Sequence, residues 1–239
     1  MTTLGLVGGL GPESTIDYYR RILDAWTKVE PGTSPSIVID SLDVQRGLRL
    51  VASDRRALIE YLTGSITRLV GAGVDFIAIT ANTPHIVFDD LATRSPVPLV
   101  SIVETCAHEA ERRGLQRLLL LGTRFTMEAP FYPAVFARAG SAVFTPGDAD
   151  RSWVHDRYVG ELLEGEFRDD TRAGFIDLVR RMHDSAAIDG VILGGTELVL
   201  LLTGPTVAGL PTLDTTALHV DAIVERLRHP TAPRAPQLS

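Results

Sequence analysis

The stretch FIAITANTPH, residues 76–85, joins a run of apolar residues to small polar ones and then to Pro84. The apolar run, Phe76 to Ile79, is typical of a strand that is buried on both faces. Thr83 is a suitable N-cap, and Pro84 is a suitable first residue for a helix that we predict over Pro84–Leu91. The stretch therefore predicts a strand that opens directly into a helix N-terminus, where backbone N–H groups can bind an anion.

Strand-like apolar runs alternate with helical patterns along the whole chain. This alternation predicts an α/β fold with mainly parallel sheets flanked by helices. Ligands in such folds bind at the carboxyl ends of the strands, where this sequence places its small polar residues. The predicted strands are Leu4–Gly8, Ser36–Asp40, Asp75–Thr80, Leu99–Ser101, Arg117–Leu121, Ala142–Thr145, Gly190–Leu193 and Thr212–Leu213.

A weak internal repeat accompanies this alternation. GAGVDFIAITANTPH is similar to AIDGVILGGTEL, and LGLVGGLGPES is similar to LLLLGTRFTME. One interpretation is that any α/β protein repeats its strand-to-helix junctions. The other is that the chain forms two similar lobes whose strand ends face each other across a cleft.

Composition and charge narrow the class of protein. The chain has 239 residues, 45% of them hydrophobic, and a net charge of −7, which argues against a nucleic-acid-binding surface. Cys106 is the only cysteine, so no intrachain disulfide can form. The first residues, MTTLGLVGGLGPES, lack a basic segment and a long apolar one, so we expect neither a signal peptide nor a membrane span. We therefore expect a cytoplasmic protein without nucleic-acid or membrane partners.

Three common kinds of cofactor site fit the sequence poorly. The glycine-rich stretch 8–14 has Ser14 where a dinucleotide-binding loop needs its third glycine. His85 and Asp89 are spaced as metal ligands on one helical face, but no third ligand is visible. Lys28 is the only lysine and ends a predicted helix, away from every strand end, so a Schiff base is not expected. We predict that the protein needs no metal or organic cofactor.

Four strand-to-helix junctions provide hydroxyl groups, an amide group and backbone N–H groups. Such neutral donors at helix N-termini suit carboxylate ligands. Each junction alone could be an ordinary N-cap, but together they favour a site for a carboxylic acid. The pairs are Ser14 with Thr15, Asn82 with Thr83, Thr123 with Thr126, and Thr196 with Glu197.

At these junctions the chain resembles the aspartate/glutamate racemase family. The resemblance covers almost the whole chain except its proline-rich end, and the motifs occur in the family's order. It implies two similar lobes with the ligand between them, and a cofactor-independent amino-acid racemase whose relatives isomerise or decarboxylate small diacids. The stretches that carry it are LGLVGGLGPESTIDYYRRI, GVDFIAITANTPHIVFDDL, LLGTRFTMEAPFY, GVILGGTELVLLL and PTLDTTALHV.

The resemblance also identifies two positions at which this chain lacks the cysteines of the family. The family motifs resemble Cys-Asn-Thr in the first lobe and Gly-Cys-Thr-Glu in the second, and their two thiols face opposite sides of the substrate α-carbon. Here the cysteine positions are Ala81 and Gly195, which cannot transfer a proton, and Cys106 matches neither motif. The substrate-binding positions that the resemblance implies are Leu10, Arg46, Asn82, Thr83, Thr123, Thr126 and Thr196.

Other residues could replace the thiols. We consider Glu197 at a predicted helix start, His85 if Asp89 orients it, and Thr196, although a hydroxyl is a poor base unless it is activated. Arg46 could clamp a side-chain carboxylate, or it could lie on a solvated helix surface.

Three functional hypotheses follow. The chain is a racemase-like isomerase of a small acidic amino acid or dicarboxylate with a non-cysteine acid/base, a lyase or decarboxylase-like enzyme on a small carboxylic acid, or a catalytically silent protein that binds carboxylates or a partner. We expect a homodimer. The predicted domains are residues 1–100 with the C-terminal helix 212–228, residues 101–211, and a disordered tail, residues 229–239.

Overall fold

The structure, a computed structural model, describes residues 2–229. All but one residue of the predicted tail, 229–239, lies outside this range. The described chain forms two compact units, which we call the first unit (2–101 and 219–229) and the second unit (102–218).

Strands and helices alternate through both units, as the sequence predicts. The strands are β1 (Thr3–Gly8), β2 (Ser36–Ser41), β3 (Phe76–Ile79), β4 (Leu99–Val100), β5 (Arg117–Leu121), β6 (Ala142–Phe144), β7 (Gly190–Leu193), β8 (Thr206–Val207) and β9 (Leu210–Asp214). The α-helices are α1 (Pro12–Val29), α2 (Val44–Ser53), α3 (Arg55–Gly71), α4 (Phe88–Arg94), α5 (Ile102–Arg112), α6 (Arg124–Glu128), α7 (Phe131–Arg138), α8 (Asp148–Gly160), α9 (Asp169–Ala186), α10 (Leu198–Leu201) and α11 (Thr215–Arg228). Short 3-10 helices lie at Thr83–Val87 and Leu162–Glu164. No helix in residues 2–229 is long and apolar enough to cross a membrane.

The first unit contains a parallel sheet in the order β2-β1-β3-β4. Alternate residues of β3 face opposite sides of this sheet. Phe76 and Ala78 pack with α1 and α11, whereas Ile77 and Ile79 pack with α3. Helices cover both faces, which explains why the strand is an uninterrupted apolar run.

The second unit contains the order β6-β5-β7-β9-β8, parallel except for the β8–β9 pair. Its core includes every residue from Leu118 to Leu121 on β5 and Val191 to Leu193 on β7. Cys106 on α5 is fully buried in the same core. The predicted α/β class, with mainly parallel sheets in two similar parts, is confirmed.

α6 and α7 are separate helices, because Ala129 before Pro130 has an extended backbone (φ −77°, ψ 148°). The helix predicted over Pro84–Leu91 is a 3-10 helix followed by α4. The assignment of Thr83 as its N-cap was wrong, since the 3-10 helix already includes Thr83 and no side chain caps it.

Candidate active site

Thr80 anchors the end of β3 in the first unit. Its backbone N–H and its hydroxyl both donate to the Val7 carbonyl, at 3.0 and 3.2 Å. The Ser14 hydroxyl donates to the Thr80 carbonyl at 2.8 Å, and the Thr15 hydroxyl lies 3.2 Å from the Thr80 hydroxyl. These bonds tie the first turn of α1 to the strand end. The predicted junction residues Ser14 and Thr15 therefore hold the backbone in place.

The residues that follow Thr80 are buried. Ala81 presents a methyl group and Asn82 is nearly inaccessible, whereas Thr83 is half-buried. Asn82 has helical angles (φ −75°, ψ −49°), and its carbonyl accepts from the His85 N–H at 3.0 Å. The chain thus turns tightly after β3. The dipole of the five-residue helix there is small and attracts an anion only weakly.

The His85 side chain contacts the backbone just after the end of β3. Its Nδ1 lies 3.0 Å from the Ala81 carbonyl oxygen, which can only accept, so Nδ1 carries the proton. The ring stacks on Phe88 at 5.0 Å between centroids. Burial, and secondarily the buried His219 ring, lowers the pKa of His85 to about 3. His85 is therefore neutral at physiological pH and a weak base.

Leu10 lies in the loop after β1, and Arg46 lies in the first turn of α2 in the same unit. Leu10 is half-buried against the apolar cluster on the α3 side of the sheet. Arg46 is exposed on α2, and its guanidinium carbon lies 4.6 Å from the centre of the Tyr61 ring. Asp43 caps α2 by accepting from the Arg46 N–H at 3.1 Å. Stacking on Tyr61 leaves the edge of the guanidinium fork available for a carboxylate.

In the second unit, the end of β5 carries Thr123 and Thr126. Thr123 caps α6 by accepting from the Thr126 N–H at 3.2 Å, and the two buried hydroxyls lie 3.1 Å apart. The neighbouring strand β7 ends close by, where the Gly194 N–H donates to the Leu121 carbonyl at 2.7 Å. The structure thus places the Thr123 junction beside the Gly194–Glu197 junction at one edge of this sheet.

The Glu197 carboxylate is the buried acidic group at the end of β7. Only 2% of Glu197 is exposed. Its Oε2 accepts hydrogen bonds from the Thr196 hydroxyl, at 2.9 Å, and from the Tyr158 hydroxyl on α8. Hydroxyl donors favour the ionised form of a carboxyl group. Two donors on one oxygen also fix the plane of the carboxylate.

Tyr158 is the residue that the sequence analysis missed. A Cβ built on Gly195 would lie 2.8 Å from both Cζ and Oη of Tyr158, much closer than the ~3.5 Å of an ordinary carbon contact. Burial, and then the Glu197 carboxylate, raises the pKa of Tyr158 well above its usual range, so the phenol keeps its proton. The signal in the sequence was Gly195 itself, a position without a side chain in a polar motif.

Cys106 has a definite place in the second unit. Burial raises the pKa of the Cys106 thiol far above its usual range, so Cys106 is a core residue and a poor nucleophile. Within residues 2–229, no group of three or more His, Cys, Asp or Glu side chains is arranged to hold a metal ion.

This arrangement of polar strand ends in two parallel-sheet units has counterparts among known proteins. The model of the Asp/Glu/hydantoin racemase family matches residues 7–223. The chain belongs to this family.

Individual members of the Asp/Glu/hydantoin racemase family show the same likeness. A candidate Asp/Glu racemase from Yersinia pestis is 32% identical with a TM-score of 0.86, over 95% of this chain and 100% of that one. PH1733, an aspartate racemase homologue from Pyrococcus horikoshii OT3, is 30% identical with a TM-score of 0.81, over the same shares. The broad specificity amino-acid racemase RacX of Bacillus subtilis strain 168 is 27% identical over 148 residues, 59% of this chain. That match spans 63% of the length of RacX.

Proposed function

We propose that this racemase-family chain is a cofactor-independent isomerase of a small acidic amino acid or dicarboxylate, with Glu197 as its acid/base. Its relatives include an aspartate racemase homologue and a broad specificity amino-acid racemase, which favours an amino-acid substrate. Lys28 lies exposed in the last turn of α1, far along the helix from the strand ends, which argues against a Schiff base. We also propose a homodimer in the cytoplasm.

The observation that carries this proposal is the Glu197 carboxylate. It lies two residues after Gly195, the position to which the resemblance assigns a family thiol, and it accepts hydrogen bonds from two hydroxyl groups. A carboxylate placed there can accept the α-proton of a bound substrate, leaving a planar carbanion, and inversion follows when water delivers a proton to the opposite face of that carbon. His85 and Thr196 are weaker bases, because His85 titrates near pH 3 and the Thr196 hydroxyl already donates to Glu197.

The proposed substrate-binding groups divide between the units. In the first unit they are Asn82 and Thr83 after β3, with Leu10 after β1 and Arg46 on α2. In the second unit they are Thr123, Thr126 and Thr196. The amide and hydroxyl groups suit neutral hydrogen bonds to a carboxylate, and the Arg46 guanidinium suits a bidentate pair with one.

Exchange of the substrate α-proton tests this function. Aspartate and glutamate of both configurations are incubated with the protein in deuterated water, and the loss of the α-proton signal is followed by NMR. We expect Glu197→Gln to slow exchange by about 10²–10⁴-fold, the usual contribution of a general acid–base group. Glu164→Gln, an exposed change in the same unit, is the matched control and should exchange like wild type. Full activity in Glu197→Gln would contradict the assignment.

A second candidate function is a lyase or decarboxylase-like reaction on a small carboxylic acid. One observation favours it: neither Ala81 nor Gly195 has a proton-transfer group and His85 is a weak base, so Glu197 is the one strong acid/base that we propose. Incubation with small dicarboxylic acids in deuterated water distinguishes the two reactions. A lyase gives a product that carries deuterium in a single configuration, whereas a racemase interconverts both configurations. Binding without either reaction would instead support a catalytically silent carboxylate-binding protein.

A further inference from the structure

We infer that Tyr158 takes the place of a side chain at position 195 and positions the Glu197 carboxylate for the reaction. Its role in the reaction rests on the proposed function. Its steric role rests on the geometry of α8 and the end of β7 alone. Tyr158 would be a positioning residue, because it acts through Glu197.

The steric part follows from the space in front of Gly195. The Tyr158 ring lies where any Cβ at position 195 would be, with Cζ and Oη each 2.8 Å from that point. The backbone of Gly195 is outside the left-handed region, so glycine is required there by lack of space. The ring is almost fully buried among the core residues of the second unit and has little freedom to move aside.

The chemical part follows from the Tyr158 hydroxyl. It donates to Glu197 Oε2, the oxygen that also accepts from Thr196. The groups described at this oxygen are thus a phenol from α8 and a hydroxyl from the same turn. Both donors favour the charged carboxylate, and the phenol stays protonated because burial and the carboxylate oppose its ionisation.

The position of the Tyr158 ring at Gly195 and the hydrogen bond from its hydroxyl to Glu197 depend on each other. A side chain at position 195 would displace the Tyr158 ring and pull its hydroxyl away from Glu197. Conversely, only a glycine lets a residue from α8 reach the end of β7. Glycine at position 195 and Tyr158 are therefore interdependent, and together they give this chain a phenol–carboxylate pair at this strand end.

A double-mutant cycle in stability tests the steric part without any substrate. We expect Gly195→Ala to lower the denaturant midpoint clearly in the wild-type background and much less in the Tyr158→Ala background. Tyr158→Leu is a second background that keeps more of the ring's volume in case Tyr158→Ala does not fold. Gly160→Ala is the matched control, because a Cβ there meets open space on the same helix. An equal cost of Gly195→Ala in every background would overturn the steric part.

Titration of the Glu197 carboxyl tests the chemical part, also without substrate. The ¹³C carboxyl resonance of Glu197 is identified as the one that disappears in Glu197→Gln. The variant Tyr158→Phe keeps the ring and removes the hydroxyl. In this variant the titration midpoint of the Glu197 carboxyl should move up by about one pH unit, a tenfold change in proton affinity. Tyr132→Phe, a change to another buried ring of the same unit, should leave it unchanged. An unchanged midpoint in Tyr158→Phe would overturn the positioning role.

Substrate exchange then separates this inference from the proposed function. Tyr158→Phe should move the acidic limb of the pH–rate profile to higher pH and lower kcat more than it raises KM. If wild type exchanges no α-proton while the carboxyl midpoint still moves, the proposed function fails and the pairing stands. If wild type is active and Tyr158→Phe has the wild-type profile, the positioning role fails and the proposed function stands.

Discussion

Ala81 and Gly195, the positions that the family resemblance assigns to cysteine, differ in how much room surrounds them. Ala81 already has a Cβ, so a thiol there adds one atom at a slightly exposed site. Gly195 has no room for even a Cβ while Tyr158 is present. Glycine is required at 195 for a steric reason, since its backbone lies outside the left-handed region.

This difference leads to a prediction about restoring the thiols. The double change Ala81→Cys and Gly195→Cys should fold poorly or lose stability, because overpacking a buried contact costs about 1–3 kcal/mol. Adding Tyr158→Ala should recover part of that stability and give measurable α-proton exchange by the thiol route. Exchange of aspartate and glutamate in deuterated water measures the activity, and thermal unfolding measures the stability.

Cys106 provides the control for that experiment. It is fully buried with its pKa raised, so a thiol reagent should leave folded wild type unmodified and react only with the introduced cysteines. Equal stability of the double and triple variants would contradict the steric argument. Rapid labelling of Cys106 in folded wild type would contradict its burial.

Among the secondary-structure elements, the strands could be predicted more closely than the helices. β5 and β7 have the predicted bounds, because continuous apolar runs between turn residues specify buried strands. α2 contains Gly47, a residue that weakens a helical pattern. A Cβ on Gly47 would lie 2.9 Å from the end of the Leu10 side chain, which can move aside.

The contact between Tyr158 and Glu197 could not be predicted from the sequence. Helical periodicity can predict that one face of α8 is buried, but it cannot predict which strand end that face contacts. Residues 158 and 197 are far apart in sequence, and their pairing depends on the packing of α8 against the sheet. The sequence therefore indicates the polar strand ends of the candidate site, whereas the partner from a distant helix is visible only in the folded chain.

α11 is attached to the first sheet by a buried histidine. His219 Nδ1 lies 2.9 Å from the Tyr18 hydroxyl of α1, and its Nε2 lies 3.0 Å from the Val100 carbonyl at the end of β4. The carbonyl can only accept, so Nε2 donates and Nδ1 accepts from Tyr18. Burial lowers the pKa of His219 to about 4, which means that the folded protein holds this ring neutral.

The neutral histidine predicts a loss of stability in acid. The unfolded chain binds a proton at His219 below about pH 6.5, while the folded chain does so only near pH 4. The free energy of unfolding should therefore fall as the pH drops through this window, by about 3 kcal/mol from His219. His85, with a pKa of about 3, should act in the same direction.

Urea unfolding between pH 7 and pH 4.5 measures this effect. His219→Gln should be less stable at pH 7, because it disturbs two buried hydrogen bonds, but its stability should depend less steeply on pH. His108→Gln, a change at an exposed histidine, should keep the wild-type slope. A wild-type slope in His219→Gln would show that other groups cause the acid sensitivity.

For the whole molecule, polar groups that would bind a substrate are present in both units, at the ends of β3, β5 and β7. A ligand that binds only the folded chain stabilises it by RT ln(1 + [L]/Kd), about 2.7 kcal/mol at a hundred times Kd. We therefore expect aspartate, glutamate or a small dicarboxylate at millimolar concentration to raise the melting temperature. A neutral amino acid of similar size, such as asparagine, should raise it less if the Arg46 guanidinium binds the second carboxylate.

Variants from the two units decide whether both take part in binding. Asn82→Ala alters the first unit and Thr196→Val the second, so each should reduce the ligand-induced shift in melting temperature if the ligand contacts both. Glu164→Gln should keep the full shift, since its side chain is exposed and lies outside the proposed site. A shift that depends on only one unit would favour a carboxylate-binding protein over an isomerase. Catalysis in this proposal needs the carboxylate-binding groups together with Glu197. No shift with any acid would exclude small acidic substrates at these concentrations.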